Sequence, residues 1–431
     1  MPSIGPDRRG LDAVLSRLYR QEYGRLIATL VRRFGDLDLA EDVAQDALMA
    51  AWERWISGGQ PDKPLAWLTT VARNRALDGI RGQASAARAL GRLRSEFEGH
   101  TAPAADHALA EVTELPDERL AMLMGCCHPG LAPADRIALM LRFVAGLSSA
   151  EVATALLVPP STMQARITRA KKRIRRTGIP LSVPEDAAER RRRLPLMLQA
   201  ISVVFTEGYA ATSGTHPLRG DLSAEAIRLA RLLHRLVPTE PEPAGLLGLL
   251  LLTQARAPAR VDPQGLPVPL QDQNRRLWDA NLIGEGCGLA EQAARMAGAG
   301  RWTIQAAIAA CHAEAPSFAQ TDWHQVVALY DLLLRHDPGP VVRMNRAIAV
   351  GRRDGLGQGL SLLNGLADDP LLEGHQPFHT ARAITLAELG ETASARISYL
   401  RALELTSNDG ERRFLEHRLA SLSEDPKPAE S

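Results

Sequence analysis

At 431 residues the chain exceeds one ordinary domain, and the usual size of a compact unit suggests about three of them. Hydrophobic residues at 45% and charged residues at 23% give the balance of a globular protein, while aromatics at only 4% leave a mix rich in Ala, Leu and Arg that favours helices over strands. A net charge of +1 excludes a uniformly polybasic or polyacidic chain, no apolar run approaches a membrane span, and residues 1–10 lack a signal-peptide core; the expectation is an all-α, cytoplasmic protein.

The first predicted elements are three helical patterns within residues 11–81, forming a unit over residues 10–82. In the second pattern Asp38-Leu39-Ala40-Glu41 is expected to start a helix whose core stripe is Ala44, Leu48, Ala51, Trp52 and Trp55. Its outer face is then acidic and amidic, with Asp42, Gln45, Asp46, Met49 and Glu53. Residues 57–63 make a Gly- and Pro-containing loop, and Pro64 opens a further helix carrying Arg73, Asn74, Arg75, Asp78 and Arg81. Residues 83–113 show no long apolar periodicity and read as a flexible linker.

A second helical unit is predicted over residues 114–178, ending where Gly178 and Pro180 stop a helix. Ser148-Ser149-Ala150-Glu151 is a capping box with Leu147 and Val152 as its staple, a short turn follows at Leu157-Val158, and Pro159 suits the start of the next helix. That is a helix-turn-helix. In its second helix Met163, Ile167, Ala170 and Ile174 form the apolar stripe and Ser161, Thr162, Gln164, Arg166, Thr168, Arg169 and Lys172 face outward, suited to base edges at the N-terminal end and phosphates further along. The charge is uneven along the chain. Residues 166–176 hold seven bases and no acid, and residues 36–46 hold five acids and no base, so one segment suits phosphate and the other a basic partner.

From residue 185 to 423 the pattern is helix after helix, broken by Pro and Gly clusters. Tyr330, Leu363 and Tyr399 recur at similar places, each followed by a turn at Asp337-Pro338, Asp369-Pro370 or Asn408-Asp409. The spacing is near that of a tetratricopeptide repeat, which predicts a short helical array. Glu207, Tyr209, Gln305, Asn345 and Arg346 are candidates to line a groove for a ligand or protein there. The four cysteines show no CxxC pair, adjacent Cys126 and Cys127 with His128 cannot easily wrap one ion, and Gly284 to Gly288 lacks the strand and Lys of a phosphate loop. No nucleophile stands at recognisable spacing from a base, so no metal, cofactor or enzymatic activity is expected.

Two segments carry a family resemblance. DLDLAEDVAQDALMAAW, ending at Trp52, and PLAWLTTVARNRALDGIR, from Pro64 to Arg81, resemble domain 2 of extracytoplasmic-function (ECF) RNA polymerase sigma factors, and residues 139–176 resemble their domain 4. By that resemblance Glu41, Asp42, Gln45, Asp46 and Met49 bind the coiled coil of the polymerase β′ subunit, although Ala47, Ala50 and Ala51 make this helix blander than in most relatives. Lys63, Arg73, Asn74, Arg75 and Arg81 fall where the family takes up the minus-ten element. Ser161, Thr162, Gln164, Arg166, Arg169 and Lys172 fall where it reads the minus-thirty-five element, in a domain that meets the β flap. The element centres lie about 22 base pairs, or roughly 75 Å, apart, and the linker can extend to roughly 100 Å. Phe205 to Tyr209, Gln305 to Ala310, Thr321-Asp322-Trp323 and Asn345-Arg346-Ala347 resemble a subgroup with a tetratricopeptide-like C-terminal extension that controls the factor in cis. The competing reading is a helix-turn-helix regulator with a repeat sensor that never joins polymerase; the N-terminal unit has no use in it.

Overall fold

The structure is a computed structural model that describes residues 8–95, 118–156, 158–209 and 220–422. It is all-α: among the described residues the β pairing is confined to one isolated bridge between Val261 and Pro267. No described helix is long and apolar enough to cross a membrane. The chain divides into two compact units, residues 1–200 and 201–431.

In the first unit α1 (Arg8–Phe34), α2 (Leu37–Gly58) and α3 (Pro64–Ser95) pack on one another. Asp36 rather than Asp38 caps α2, its Oδ1 accepting from the N–H groups of Asp38 and Leu39 at 2.7 and 3.2 Å. Asp38 and Glu41 are thereby moved into the helix, where their carboxylates are free to meet other partners. Ala44, Ala51 and Trp55 are buried as the stripe requires. Helix α3 runs on through Ser95, so the first part of the expected linker is helical, and residues 96–113 of it lie outside the described residues. Ala, Arg and Leu, which dominate that stretch, are strong helix formers, and Gly82 and Gly91 do not stop it.

Region 114–178 supplies α4 (Glu118–Cys126), α5 (Pro133–Leu139), a π-helical turn Met140–Val144, α6 (Ser149–Ala155) and α7 (Pro160–Thr177). The turn lies against α1 so closely that a Cβ on Gly24 would sit 2.6 Å from Val144 O, and only glycine fits there. After α7, Gly178 takes a left-handed conformation (φ 63°) and donates to Ile174 O, closing the helix. The chain then stays on this unit: Ile179 is buried, Leu181 lies against Gly125, and Arg193 on α8 (Ala187–Tyr209) donates to Met124 O at 3.0 Å.

The second unit takes the end of α8 and then α9 (Gly220–Leu236), α10 (Pro241–Gln254), α11 (Ala280–Arg295), α12 (Arg301–Glu314), α13 (Trp323–Leu333), α14 (Pro340–Asp354), α15 (Leu356–Asn364), α16 (Pro370–Glu373), α17 (Gln376–Glu388), α18 (Thr392–Leu405) and α19 (Asp409–Ser421). Helix α10 is apolar nearly all round and packs against α9, α11 and α12, as a central helix must. Its Glu242 caps α12, accepting from the N–H groups of Gly300, Trp302 and Thr303 at 2.9 to 3.1 Å. Beyond it the core is a chain of small clusters: Val326 and Val350 with Tyr330, then Met344 and Leu363 with Phe378, then Tyr399 and Leu415 with Phe414. Tyr330, Leu363 and Tyr399 thus occupy successive layers, the order expected of a helical array in which each pair buries its apolar face on the next.

Candidate nucleic-acid interface

The helix-turn-helix forms from its sequence signals. Ser148 N–H donates to Glu151 Oε2 at 2.8 Å and Glu151 N–H to Ser148 Oγ at 3.2 Å, the reciprocal pair of a capping box, with Leu147 and Val152 buried beneath it. Residue 157 of the turn lies outside the described residues. In α7 the buried residues are Met163, Ile167, Ala170 and Ile174. Ser161, Thr162, Gln164, Arg169 and Lys172 are exposed and Arg166 half-buried, so the polar side chains form one continuous face.

On α2, Asp42, Gln45 and Met49 are exposed, Met49 to 64% of its surface, and Asp46 is half-buried, pairing with Arg75 of α3 at 3.1 Å. Lys63, Arg73, Asn74, Arg75 and Arg81 are all exposed, and Arg81 lies beside Asp78 at 3.7 Å. Surface pairs of this kind contribute about 0–1 kcal/mol and yield readily to a stronger partner.

Glu41 behaves differently. It was expected among the residues that bind the β′ coiled coil and is instead 8% exposed, because the opposite charge it meets is in its own chain. Its Oε1 accepts from Arg142 Nη2 and its Oε2 from Lys171 Nζ, both at 2.7 Å. Arg142, in the π-helical turn, also donates to Tyr19 Oη at 2.8 Å and Leu147 O at 2.9 Å, and its guanidinium lies 5.2 Å from the Tyr23 ring centre. Burial opposes the charge on Arg142, but Tyr23, Tyr19 and Glu41 outweigh it and raise its pKa. Lys171 likewise resists burial through hydrogen bonds to Asp38 and Glu41, and its pKa is raised. Asp38 holds Lys171 at 2.6 Å and Arg175 at 3.1 Å. The acidic segment of α2 and the basic segment of α7 are therefore partly each other's partners.

The comparisons with known proteins follow the same division. Sigma-70 region 2 matches residues 18–86, sigma-70 region 4 matches residues 121–174, and a family of unknown function (DUF6596) matches residues 193–294. The ECF RNA polymerase sigma factor SigK of Mycobacterium sp. (strain KMS) is 28% identical over 163 residues, 37% of this chain and 79% of its own length. The corresponding SigL of Mycobacterium tuberculosis (strain ATCC 25618 / H37Rv) is 29% identical over 170 residues, covering 38% and 89%. The chain belongs to the ECF group of the sigma-70 family. An uncharacterized protein of Rhizobium meliloti (strain 1021), 40% identical over 401 residues, shares 93% of this sigma factor and 94% of its own length, extension included.

Sequence reasoning missed the residues that join the two regions of this sigma factor. Arg142 gave a signal, a lone cation inside the apolar run Ala138 to Val144. Asp38 and Lys171 gave none beyond the two charge segments. In the extension, Gln305 and Asn345 line one cavity as the groove expectation requires. Tyr209 instead lies under Arg260, 3.8 Å from its ring centre, and Arg346 pairs with Asp331 at 2.6 Å. Cys126 and Cys127 are buried, with Cys127 Sγ 3.3 Å from Met140 Sδ, and burial pushes the Cys127 thiol up to about 12. Among the described residues no cluster of His, Cys, Asp and Glu could hold a metal ion.

Proposed function

We propose that this sigma factor works in the cytoplasm as a non-catalytic subunit of RNA polymerase whose C-terminal extension controls it in cis. Asp42, Gln45, Asp46 and Met49 bind the β′ coiled coil, domain 4 meets the β flap, and Lys63, Arg73, Asn74, Arg75 and Arg81 take up the minus-ten element. Ser161, Thr162 and Gln164 read the minus-thirty-five element while Arg166, Arg169 and Lys172 hold phosphates. The observation that carries the reading is the face of α7, polar and exposed at the end that would meet bases and basic along the rest. Spanning two elements roughly 75 Å apart requires the contact of Glu41 and Asp38 with Arg142, Lys171 and Arg175 to open. The extension, tethered to domain 4 at an effective concentration on the order of millimolar, would bias that opening through even a weak contact.

The test is run-off transcription with purified core polymerase, comparing the full chain with a chain ending at Ala200. A cut at Thr177 would remove Ile179, Leu181 and Arg193 from the first unit and confuse loss of control with loss of fold. Full-length protein is expected to start transcription at a defined promoter, and the shortened protein to lose activity several-fold with its helical circular dichroism intact. Equal activity across salt concentrations removes control by the extension. No core-dependent initiation by either form favours a regulator that acts without joining polymerase.

A further inference from the structure

The extension holds two cavities, about 590 Å³ and about 240 Å³, that share Leu270, His312, Tyr330 and Asn345 in their walls. Helices α10, α12, α13 and α14 enclose the larger, and α13, α14 and α17 the smaller. Their size suits a small molecule, for which sites of about 300 to 1,000 Å³ are usual.

One cation, Arg256, lines the larger cavity, and Arg275 lies beside the same Trp278 ring without lining it. Arg256 and Arg275 flank the Trp278 ring at 6.0 and 4.5 Å from its centre, and among the described residues neither forms an ion pair. Arg275 is fixed by donating to the carbonyls of His312 and Ala315, the latter at 2.8 Å. Arg256 Nε, Arg275 Nη2 and His312 Nδ1 are buried and meet no hydrogen-bond partner among the described residues. Burial, with Arg256 and Arg275 alongside, pushes His312 down to about 4 and leaves it neutral at pH 7. A buried N–H without an acceptor is unfavourable, and an anion entering beside Arg256 and His312 would supply one.

Charge and shape narrow the class. One carboxylate, Asp337, lines the larger cavity, its Oδ1 already accepting from Gly339 N–H at 3.1 Å. In the smaller cavity Arg352 is satisfied by Glu388 at 2.8 Å. A single guanidinium, Arg256, lines the larger cavity together with a carboxylate, a setting that suits one carboxylate of a ligand better than a phosphate dianion. The smaller cavity is aromatic, with Trp323 packed edge-on to His312 and Phe318 at 5.3 and 5.1 Å between ring centres.

We propose that the extension binds a small monoanionic organic acid, its carboxylate held by Arg256 and the imidazole of His312 and its flat apolar body laid against Tyr330 and Trp323. The proposal gives the regulatory reading of the extension a ligand class and rests on that reading only for its consequence in transcription. Binding is therefore measured without polymerase, so a failed regulatory test leaves it standing and a failed binding test leaves that reading standing.

The experiment titrates 1-naphthoate into the full-length protein by calorimetry at pH 7, beside the neutral 1-naphthamide and 1-naphthyl phosphate. A saturable site for naphthoate is expected, with the amide at least about tenfold weaker for loss of the charge-assisted hydrogen bonds. Arg256→Gln should weaken naphthoate by a similar factor, and His312→Phe by less, each with native circular dichroism. Should Arg256→Gln misfold, Asn345→Leu replaces it as the cavity variant, and unchanged naphthoate binding by that variant counts against the site. Equal binding of acid and amide, full binding by the variants, or no binding up to millimolar naphthoate overturns the proposal. Tighter binding of the phosphate overturns the choice of carboxylate.

Discussion

Two clusters of shielded cations, one in each unit, are partnered in opposite ways. In the first, Arg142, Lys171 and Arg193 each reach a carboxylate: Glu41, Asp38 with Glu41, and Glu189. In the second, Arg256 and Arg275 have aromatic rings and carbonyls but no carboxylate. The difference separates a surface closed by its own chain from one that an outside anion would complete. A charge satisfied internally can serve as a latch, since opening leaves it exposed and free for polymerase or DNA. A charge without a carboxylate is where the proposed organic acid would bind.

The largest effect should come from breaking the internal pairing. Glu41→Gln leaves Arg142 buried without its counter-ion, which is expected to cost about 3–5 kcal/mol in denaturant unfolding of the first unit. Adding Arg142→Met should return much of that loss, because the pair is then replaced by apolar packing. If Glu41→Gln unfolds like the native chain, the contact is too weak to hold the two regions together. Gly24→Leu attacks the same contact sterically and should separate the regions, read as increased hydrogen exchange in α1 and residues 140–144.

Next in size is the polymerase face. Asp42→Lys with Asp46→Lys should weaken co-elution with core polymerase by about 1–3 kcal/mol if these carboxylates are desolvated in the complex, with helical content unchanged. Unchanged co-elution would remove this face of α2 from the interface. Smaller still, Arg169→Ala should weaken all promoters alike and flatten the salt dependence by about one unit of slope, whereas Gln164→Ala should change which minus-thirty-five sequence is selected from a randomised pool. A Gln164 variant with native preference would mean that α7 meets DNA in another register.

How much of this was legible in the sequence differs between local and distant signals. The helix-turn-helix was readable because its capping box, staple and apolar stripe are set by residues within a few positions, and the structure forms each as spelled. The layered array was readable from Tyr330, Leu363 and Tyr399, since a repeat announces its own period. Glu41 was misplaced because its partners are Arg142 and Lys171, about a hundred residues or more away. A helical pattern says which face is outward, not what another segment brings to it. Asp36 took the cap from Asp38 for a nearer reason: both can cap, and the choice depends on where the preceding turn at Gly35 ends (φ 71°). The cationic cavity was illegible for the same reason as the latch, because Arg256, Arg275 and His312 sit on separate elements.

The smallest effect contrasts the two units through pH. His234, His312 and His375 in the second unit all have pKa values lowered chiefly by burial, His312 to about 4, whereas His128 is the one such histidine described in the first. A histidine whose pKa is lower in the folded state binds fewer protons there than when unfolded. Its contribution is therefore complete above the ordinary value near 6.5 and lost as pH falls towards the folded value. Glu411, raised by burial, works the other way but only in the carboxylate range. Between pH 7.5 and 5.0 the second unit should thus lose protection from hydrogen exchange sooner than the first, after correction for the intrinsic rate. His312→Asn, which does not titrate, should reduce the difference if it folds as the native chain does. Equal losses in the two units would mean that water reaches these imidazoles freely, and the buried, cation-flanked setting of His312 would have to be abandoned along with them.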